Sequence, residues 1–305
     1  MNIVLNYCDK YILSPFIYSN NWPENNIWRQ LLSLTVIVNS GAALIYILAA
    51  TLSYYFVFDQ TLKKHPLFLK DQIFLEINYA LRSIPLMSIP TLVIFMLEIR
   101  GYSKLYDNLT LSKYGYCSLV MEAICFIAFT DALIYWIHRM LHYPPVYIKF
   151  HKQHHKWKVP TPFASHAFHP LDGFAQSLPY HIYPFLFPLS SHLYLLLFVS
   201  VNVWTVSIHD GVYSVPTRLK WAINGAAHHT DHHLFYRYNY GQFTTIWDRI
   251  GRTYKDPSSW NGTGPADLVR VILNQVNGIN CSTNDASRKR EGYEKVTNEG
   301  KKKVL

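Results

Sequence analysis

Histidines grouped at short, regular intervals are the residues in this sequence that could carry chemistry. All but one of the 15 histidines lie between His138 and His233. They form three clusters, HRMLH at residues 138–142, HKQHH at residues 151–155 and HHTDHH at residues 228–233. Because side chains three and four positions apart share one face of a helix, each cluster can direct two or three imidazole rings to one point. Imidazole binds zinc, copper, iron and nickel, so the pattern predicts a transition-metal site.

The number of clustered histidines indicates how many metals the site holds. The three clusters contain nine histidines, whereas a single zinc ion takes about four ligands, so we predict two metals. Soluble di-iron bundles use a Glu-x-x-His pattern. This sequence lacks that pattern, so the predicted site is almost entirely imidazole. The alternative is a basic face that lies on a membrane surface. The predicted ligands are His138, His142, His151, His154, His155, His228, His229, His232 and His233.

Four further residues are expected to extend or support this site. His209 follows a long apolar run and could return to the metal at its end, and His169 is a second additional candidate. Asp131 lies two helical turns before His138 on the same face, so we expect its carboxylate to hydrogen-bond a ligand imidazole. Asp231, inside the third cluster, is expected to orient a neighbouring histidine.

The elements that must position these histidines are membrane helices. Half of the chain is hydrophobic and only 15% is charged, against about 25% in soluble proteins. Residues 31–58 carry no charge and exceed the roughly 20 residues that a membrane span needs. Residues 82–98 and 114–137 are further candidate spans. Residues 173–209 also lack charge but contain three prolines, and one helix of about 55 Å would be too long for the bilayer, so we predict a bent hairpin.

These features predict an all-α fold: a multi-span integral membrane protein with a histidine-rich, two-metal helical cap on its cytosolic side. Lysines and an arginine between the first two spans place that loop in the cytosol under the positive-inside rule. We assign residues 1–30 to an N-terminal segment, residues 31–257 to the membrane-embedded domain and residues 258–305 to a polar cytosolic tail. The net charge of +9 does not indicate nucleic-acid binding, because the basic residues form no long stripe in the middle of the chain.

The three clusters match the H-x3-4-H, H-x2-HH and H-x2-HH boxes of the fatty acid hydroxylase and sterol desaturase superfamily, which this sequence resembles. Segments such as WKVPTPFASHAFHPLDG and NYGQFTTIWDRIG resemble its sterol-desaturating branch, and the resemblance covers residues 21–259. It implies O2-dependent desaturation of a Δ7-sterol, lathosterol to 7-dehydrocholesterol, in cholesterol synthesis. It also implies two irons (Fe) per chain, electrons from cytochrome b5 and its NAD(P)H-dependent reductase, and a location among the lipids of the endoplasmic reticulum membrane.

Two alternatives are open on the sequence alone. A hydroxylase of the same superfamily, acting on a 4-methyl sterol or a fatty acyl chain, would carry the same boxes, and a membrane metal transporter would also use histidines. Two short motifs depend on the orientation in the membrane. Asn108 would be a glycosylation acceptor if its loop is lumenal. Lys302 and Lys303 resemble an endoplasmic reticulum retrieval signal, although a random basic tail explains them equally well.

Overall fold

The computed structural model describes residues 1–19, 21–108, 115–212 and 216–276, so Lys302 and Lys303 lie outside it. Two short strands, β1 (Leu105–Tyr106) and β2 (Leu189–Ser190), pair in parallel with Leu105 opposite Leu189. The remaining regular structure of the described residues is helical. In chain order the helices are α1 (Asn2–Cys8), α2 (Ser14–Phe16), α3 (Ile27–Phe56), α4 (Gln72–Ile99), α5 (Tyr116–Leu141), α6 (Pro144–Val146), α7 (Pro170–Leu186), α8 (Ser191–Ser207), α9 (Ala226–Phe235), α10 (Ile246–Ile250) and α11 (Pro265–Val276).

Helices α3, α4 and α5 are long and apolar enough to cross a membrane, and no other helix of the described residues meets both conditions. They cover nearly all of the three segments predicted as spans, residues 31–58, 82–98 and 114–137, which confirms the all-α membrane fold. Helix α4 begins earlier than its apolar run at residues 82–98. Its first two turns carry two buried polar residues, Gln72 and Glu76. Gln72 Nε2 donates to Glu76 Oε1 at 2.7 Å and to the Val159 carbonyl at 2.9 Å.

The uncharged run at residues 173–209 folds into two antiparallel helices, α7 and α8, of 17 residues each. The turn between them contains β2, whose pairing with β1 fixes where the chain reverses. Helix α7 packs against α4 and α5, and α8 packs against α3. The predicted hairpin is therefore confirmed, and its two ends lie at the same end of the helical bundle.

A buried wedge, residues 157–167, joins the second histidine cluster to this bundle. Its 3-10 turn at Pro162–His166 packs against α3, α4 and α8. The wedge is anchored by Tyr46, whose hydroxyl donates to the Phe163 carbonyl at 2.9 Å, and by Glu76, which accepts a hydrogen bond from the Thr161 hydroxyl. These contacts satisfy buried polar groups that would otherwise be costly in an apolar environment.

The polar segment predicted to begin at residue 258 starts with ordered structure. A 3-10 turn at Ser258–Asn261 leads into α11, in which Leu268 and Val269 are buried. Ala266 at the start of α11 belongs to a small core with Phe58, Leu62 and Val159. Residues 265–276 form an ordered helix, and not a polar tail, because the apolar residues of α11 recur at helical spacing and cover the loop between α3 and α4.

Candidate metal centre

The structure brings nine histidine side chains into two adjacent groups. Within each group, one ring nitrogen from every histidine lies within 4.8 Å of the others. The five-histidine group consists of His138, His142, His151, His155 and His232. The four-histidine group consists of His154, His209, His229 and His233. All are buried except His142, which is half-buried. Either group offers enough imidazoles for one metal ion.

The local backbone decides which group each histidine joins. His138 lies in the last turn of α5 and His142 caps that helix. The second cluster is not on an α-helix: a π turn at Tyr147–His151 is followed by a 3-10 turn at His154–Lys156. This irregular path directs His151 and His155 to the five-histidine group and His154 to the other.

The third cluster lies on α9, where helical spacing separates its members. His232 joins the five-histidine group, while His229 and His233, four residues apart, join the four-histidine group. His209, which follows α8, completes the four-histidine group. His209 reaches this group because α8 runs back from the turn of the α7–α8 hairpin toward the histidines.

Four of these rings are held through Nδ1 by an oxygen on a neighbouring segment. The Nδ1 acceptors are the Tyr240 carbonyl for His138 at 2.9 Å, Asp172 Oδ2 for His151 at 2.7 Å, the Tyr238 carbonyl for His232 at 2.9 Å and the Thr205 carbonyl for His209 at 2.7 Å. Because each Nδ1 carries the proton in these bonds, each Nε2 is left with a lone pair. Nε2 is the atom that points into the group.

These lone pairs face one another at short range. Nε2 of His138 lies 3.1 Å from Nε2 of His151, although both rings already donate through Nδ1. In the four-histidine group, Nε2 of His209 and Nε2 of His229 are 3.0 Å apart. A metal cation between the nitrogens satisfies the lone pairs, so the donor set fits a metal at each group.

Burial also sets the protonation state of the ligands. It lowers the pKa of His154, His155, His229 and His233 well below the ordinary value, and neighbouring imidazoles add to the effect. It lowers the pKa of His232 to about 3. These five rings are therefore neutral at physiological pH, which is the form that binds metals.

Two predicted ligands lie outside both groups. The ring of His228 packs on Tyr254 and Trp260, with ring centroids 5.8 and 5.2 Å apart, because its position on α9 turns it away from His229. His169 caps the start of α7, where its Nδ1 accepts a hydrogen bond from the Leu171 amide at 3.2 Å.

The predicted supporting carboxylates contact backbone and hydroxyl groups instead of imidazoles. Asp131 accepts hydrogen bonds from the Phe243 amide at 2.8 Å and from the Thr244 hydroxyl at 2.5 Å. Asp231 accepts from the Ser258 amide at 2.7 Å and from its hydroxyl at 2.6 Å. Both carboxylates therefore fix loops next to the histidines.

The carboxylate that does hold a histidine is Asp172, which sequence reasoning missed. Its side chain and that of His151 are both fully buried, and it also accepts a hydrogen bond from Gln176 Nε2 at 2.7 Å. A signal was present in the sequence. Asp172 is the single acidic residue between Asp131 and His209, and it directly precedes the uncharged run at residues 173–209. An acidic residue beside an apolar segment usually has a functional partner.

An elongated cavity of about 260 Å³ leads from the histidines into the helical bundle. Its inner end is lined by His138 of the five-histidine group and by His154, His209 and His229 of the four-histidine group. Its far end is lined by apolar residues that include Phe95 on α4 and Phe198 on α8. An apolar molecule in this cavity would therefore contact both histidine groups at one end.

The chain is similar to known proteins over most of its length. A family model described as fatty acid hydroxylase matches residues 123–253. The chain is 56% identical to lathosterol oxidase of Homo sapiens over 272 residues, which cover 89% of this chain and 91% of the human protein. It is 57% identical to lathosterol oxidase of Mus musculus over 270 residues, 88% of this chain and 90% of the mouse protein. It is 52% identical to the Delta(7)-sterol 5(6)-desaturase of Eremothecium gossypii over 245 residues, 80% of this chain and 69% of that protein. No solved structure matches the chain.

Proposed function

Since the chain belongs to the family of lathosterol oxidases and Delta(7)-sterol 5(6)-desaturases, we propose that it introduces the 5,6 double bond into a Δ7-sterol, converting lathosterol to 7-dehydrocholesterol in cholesterol synthesis. The observation that carries this proposal is the cavity that ends on both histidine groups. Its apolar walls suit a sterol ring system. A sterol bound there would have its ring carbons beside the two groups of imidazole nitrogens.

We further propose that each histidine group binds one iron, giving two per chain. The five-histidine group would hold one iron and the four-histidine group the other, in both cases through neutral imidazole nitrogens. Iron bound there supplies the O2-dependent oxidising power that no side chain has for an unactivated C–H bond. His228 and His169 are not included among these ligands, because their rings lie outside both groups.

The protein's own residues would contribute orientation and exclusion of water. Asp172 holds His151 at 2.7 Å, and three backbone carbonyls hold His138, His209 and His232, so the ligand nitrogens stay aligned without rearrangement. The bulky side chains around the cavity keep water from the reacting carbons. They also restrict the sterol to orientations along the cavity, which reduces the entropy lost at the reaction step.

We propose cytochrome b5, supplied by an NAD(P)H-dependent reductase, as the electron donor. The turns that carry the second histidine cluster also expose Lys149, Lys152 and Lys156. No aspartate or glutamate occurs from residue 132 to residue 171. A positively charged surface beside the histidines favours the approach of an acidic carrier. We place this surface in the cytosol and the protein in the endoplasmic reticulum membrane, with residues 258–305 on the same side.

A hydroxylase acting on a 4-methyl sterol or a fatty acyl chain is the alternative within the superfamily. Hydroxylation and desaturation can begin with the same hydrogen abstraction, so the histidine geometry is compatible with both. The relatives that match most of this chain are named for sterol oxidation and desaturation, which favours the desaturase. Transport of metal is not favoured, because the histidines gather in two compact groups and do not follow a path along the helices.

The test is a reconstituted reaction with product analysis. Membranes containing the protein receive lathosterol, O2, reduced nicotinamide cofactor and cytochrome b5, and sterols are separated by mass spectrometry. We expect a conjugated 5,7-diene that disappears when O2 is omitted or when His232 is replaced by Ala. A hydroxysterol product, or oxidation of a 4-methyl sterol or fatty acid without turnover of lathosterol, would contradict the proposal.

A further inference from the structure

The position of the reaction on a sterol limits how the molecule can lie in the cavity, and this argument rests on the proposed function. In a Δ7-sterol the hydroxyl-bearing C3 is separated from C5 by only C4. When C5 and C6 lie beside the histidines, the hydroxyl must also be near them. The sterol side chain then extends toward the far end. A hydrogen-bonding group for the hydroxyl must therefore lie at the inner end of the cavity.

Gln242 is placed to be that group. It lines the cavity, and it lies between Tyr240, whose carbonyl holds His138, and Phe243, whose amide is fixed by Asp131. Its own carbonyl accepts a hydrogen bond from Trp204 Nε1 at 2.7 Å. The side chain of Gln242 is thus carried by a loop that is held on both sides and reaches both histidine groups.

The hydrogen bonds around Gln242 also fix which end of its amide is free. Thr205 Oγ1 donates to the Val201 carbonyl at 2.9 Å, so it accepts from Gln242 Nε2, which lies 3.1 Å away. The Thr205 carbonyl in turn holds Nδ1 of His209. Among the described residues, Oε1 of Gln242 accepts no hydrogen bond. Gln242 is half-buried and lines the cavity, and a sterol hydroxyl bound there can donate to this unpaired amide oxygen.

The far end of the cavity offers a competing polar group, His181 on α7. Its Nδ1 is buried and has no hydrogen-bond partner among the described residues, and its ring packs against Phe95 at a centroid distance of 5.3 Å. Leu195, which lines the same end, precedes Thr205 by about 15 Å along α8. A hydroxyl bound at His181 would place the side chain of the sterol, and not C5 and C6, beside the histidines.

We propose that Gln242 Oε1 accepts a hydrogen bond from the sterol 3-hydroxyl, so that the sterol enters with its hydroxyl-bearing ring first and its side chain toward Phe95 and Phe198. Gln242 is then a determinant of substrate specificity. It selects sterols that carry a free 3-hydroxyl, because an analogue without this group leaves the amide oxygen unpaired. It also sets which ring carbons face the histidines.

The test compares lathosterol with its 3-deoxy analogue in the full-length protein in membranes. The wild type should prefer lathosterol by roughly tenfold or more in kcat/KM, as expected for one buried hydrogen bond. Gln242→Met keeps the length of the side chain and removes the acceptor. It should lower kcat/KM for lathosterol roughly tenfold and that for the analogue much less, so that the preference nearly disappears. His181→Phe is the matched control and should retain the preference.

The outcomes separate this inference from the proposed function. A wild-type protein that makes no 5,7-diene refutes the proposed function. A wild type that makes the diene, together with a Gln242→Met variant that keeps its preference or loses activity equally with both sterols, overturns the role of Gln242. Loss of the preference in His181→Phe would show that the sterol lies in the opposite direction, and would also overturn it.

Discussion

Replacing Asp172 by Asn tests whether the buried carboxylate controls metal binding by the five-histidine group. Asp172 accepts from His151 Nδ1 through Oδ2 and from Gln176 Nε2 through Oδ1, both at 2.7 Å. Asparagine has one acceptor oxygen for these two donors and no charge. A hydrogen bond to a charged group contributes about 1.5–3 kcal/mol. At 1.36 kcal/mol for each factor of ten, we expect roughly ten- to a hundredfold weaker metal binding.

The measurement is iron content and its release to a chelator in protein purified in detergent. One of the two proposed irons should leave the Asp172→Asn protein much faster than the other, because no histidine of the four-histidine group hydrogen-bonds Asp172 among the described residues. Diene formation should fall with the weakly bound iron. Asp231→Asn is the control, since the Asp231 carboxylate accepts hydrogen bonds only from Ser258 among the described residues, and its iron release should stay within about threefold of the wild type. Wild-type iron retention by Asp172→Asn would refute this role of the carboxylate.

Three further predictions concern other parts of the molecule. His232→Ala should lose iron and nearly all activity while remaining in the membrane. His192→Ala, which changes an exposed residue of α8, should keep most of its iron and activity, and equal losses in the two variants would argue against the ligand assignment. Burial lowers the pKa of His65 to about 4, so between about pH 6.5 and pH 4 unfolding takes up a proton. The free energy of unfolding therefore falls as pH falls through this range, by up to about 3 kcal/mol. Thermal unfolding from about pH 7 to about pH 5 should show a smaller change in His65→Asn, and an identical change would contradict this. Exposed Asn108 should be glycosylated in cells and Asn261 should not, as measured by a glycosidase-sensitive shift in gel mobility, and protease protection of a tag near Asn261 in sealed microsomes would contradict the orientation.

The sequence predicted the grouped histidines because helical spacing is a local property. His138 with His142, and His229 with His233, each meet through a separation of four residues, as periodicity requires. The division into two groups was not predictable. It depends on the π turn and the 3-10 turn of the second cluster, which turn His154 away from His151 and His155. No periodic pattern in the sequence identifies such a change of helix type.

The supporting carboxylates show the limit of the same reasoning. Asp131 does lie on the face of α5 that carries His138. Its carboxylate oxygens, however, accept hydrogen bonds from residues 243–244 and not from His138. Asp172 reaches His151 through the start of α7, a contact set by how the wedge at residues 157–167 folds. Contacts between segments distant in sequence depend on the whole packing, so residue spacing alone could not assign either role.

The arrangement of the histidines also has a consequence for biosynthesis. Each group combines histidines from before and after the α7–α8 hairpin: the five-histidine group takes His232 from beyond it, and the four-histidine group takes His154 from before it. Neither group can be complete until the α7–α8 hairpin has folded and α9 has left the ribosome. The proposed irons would then bind only after the hairpin has folded, and their binding energy would stabilise the chains in which it has done so. A cell short of iron would accumulate membrane-inserted chains whose histidine groups hold no metal, and its quality-control proteases can remove them.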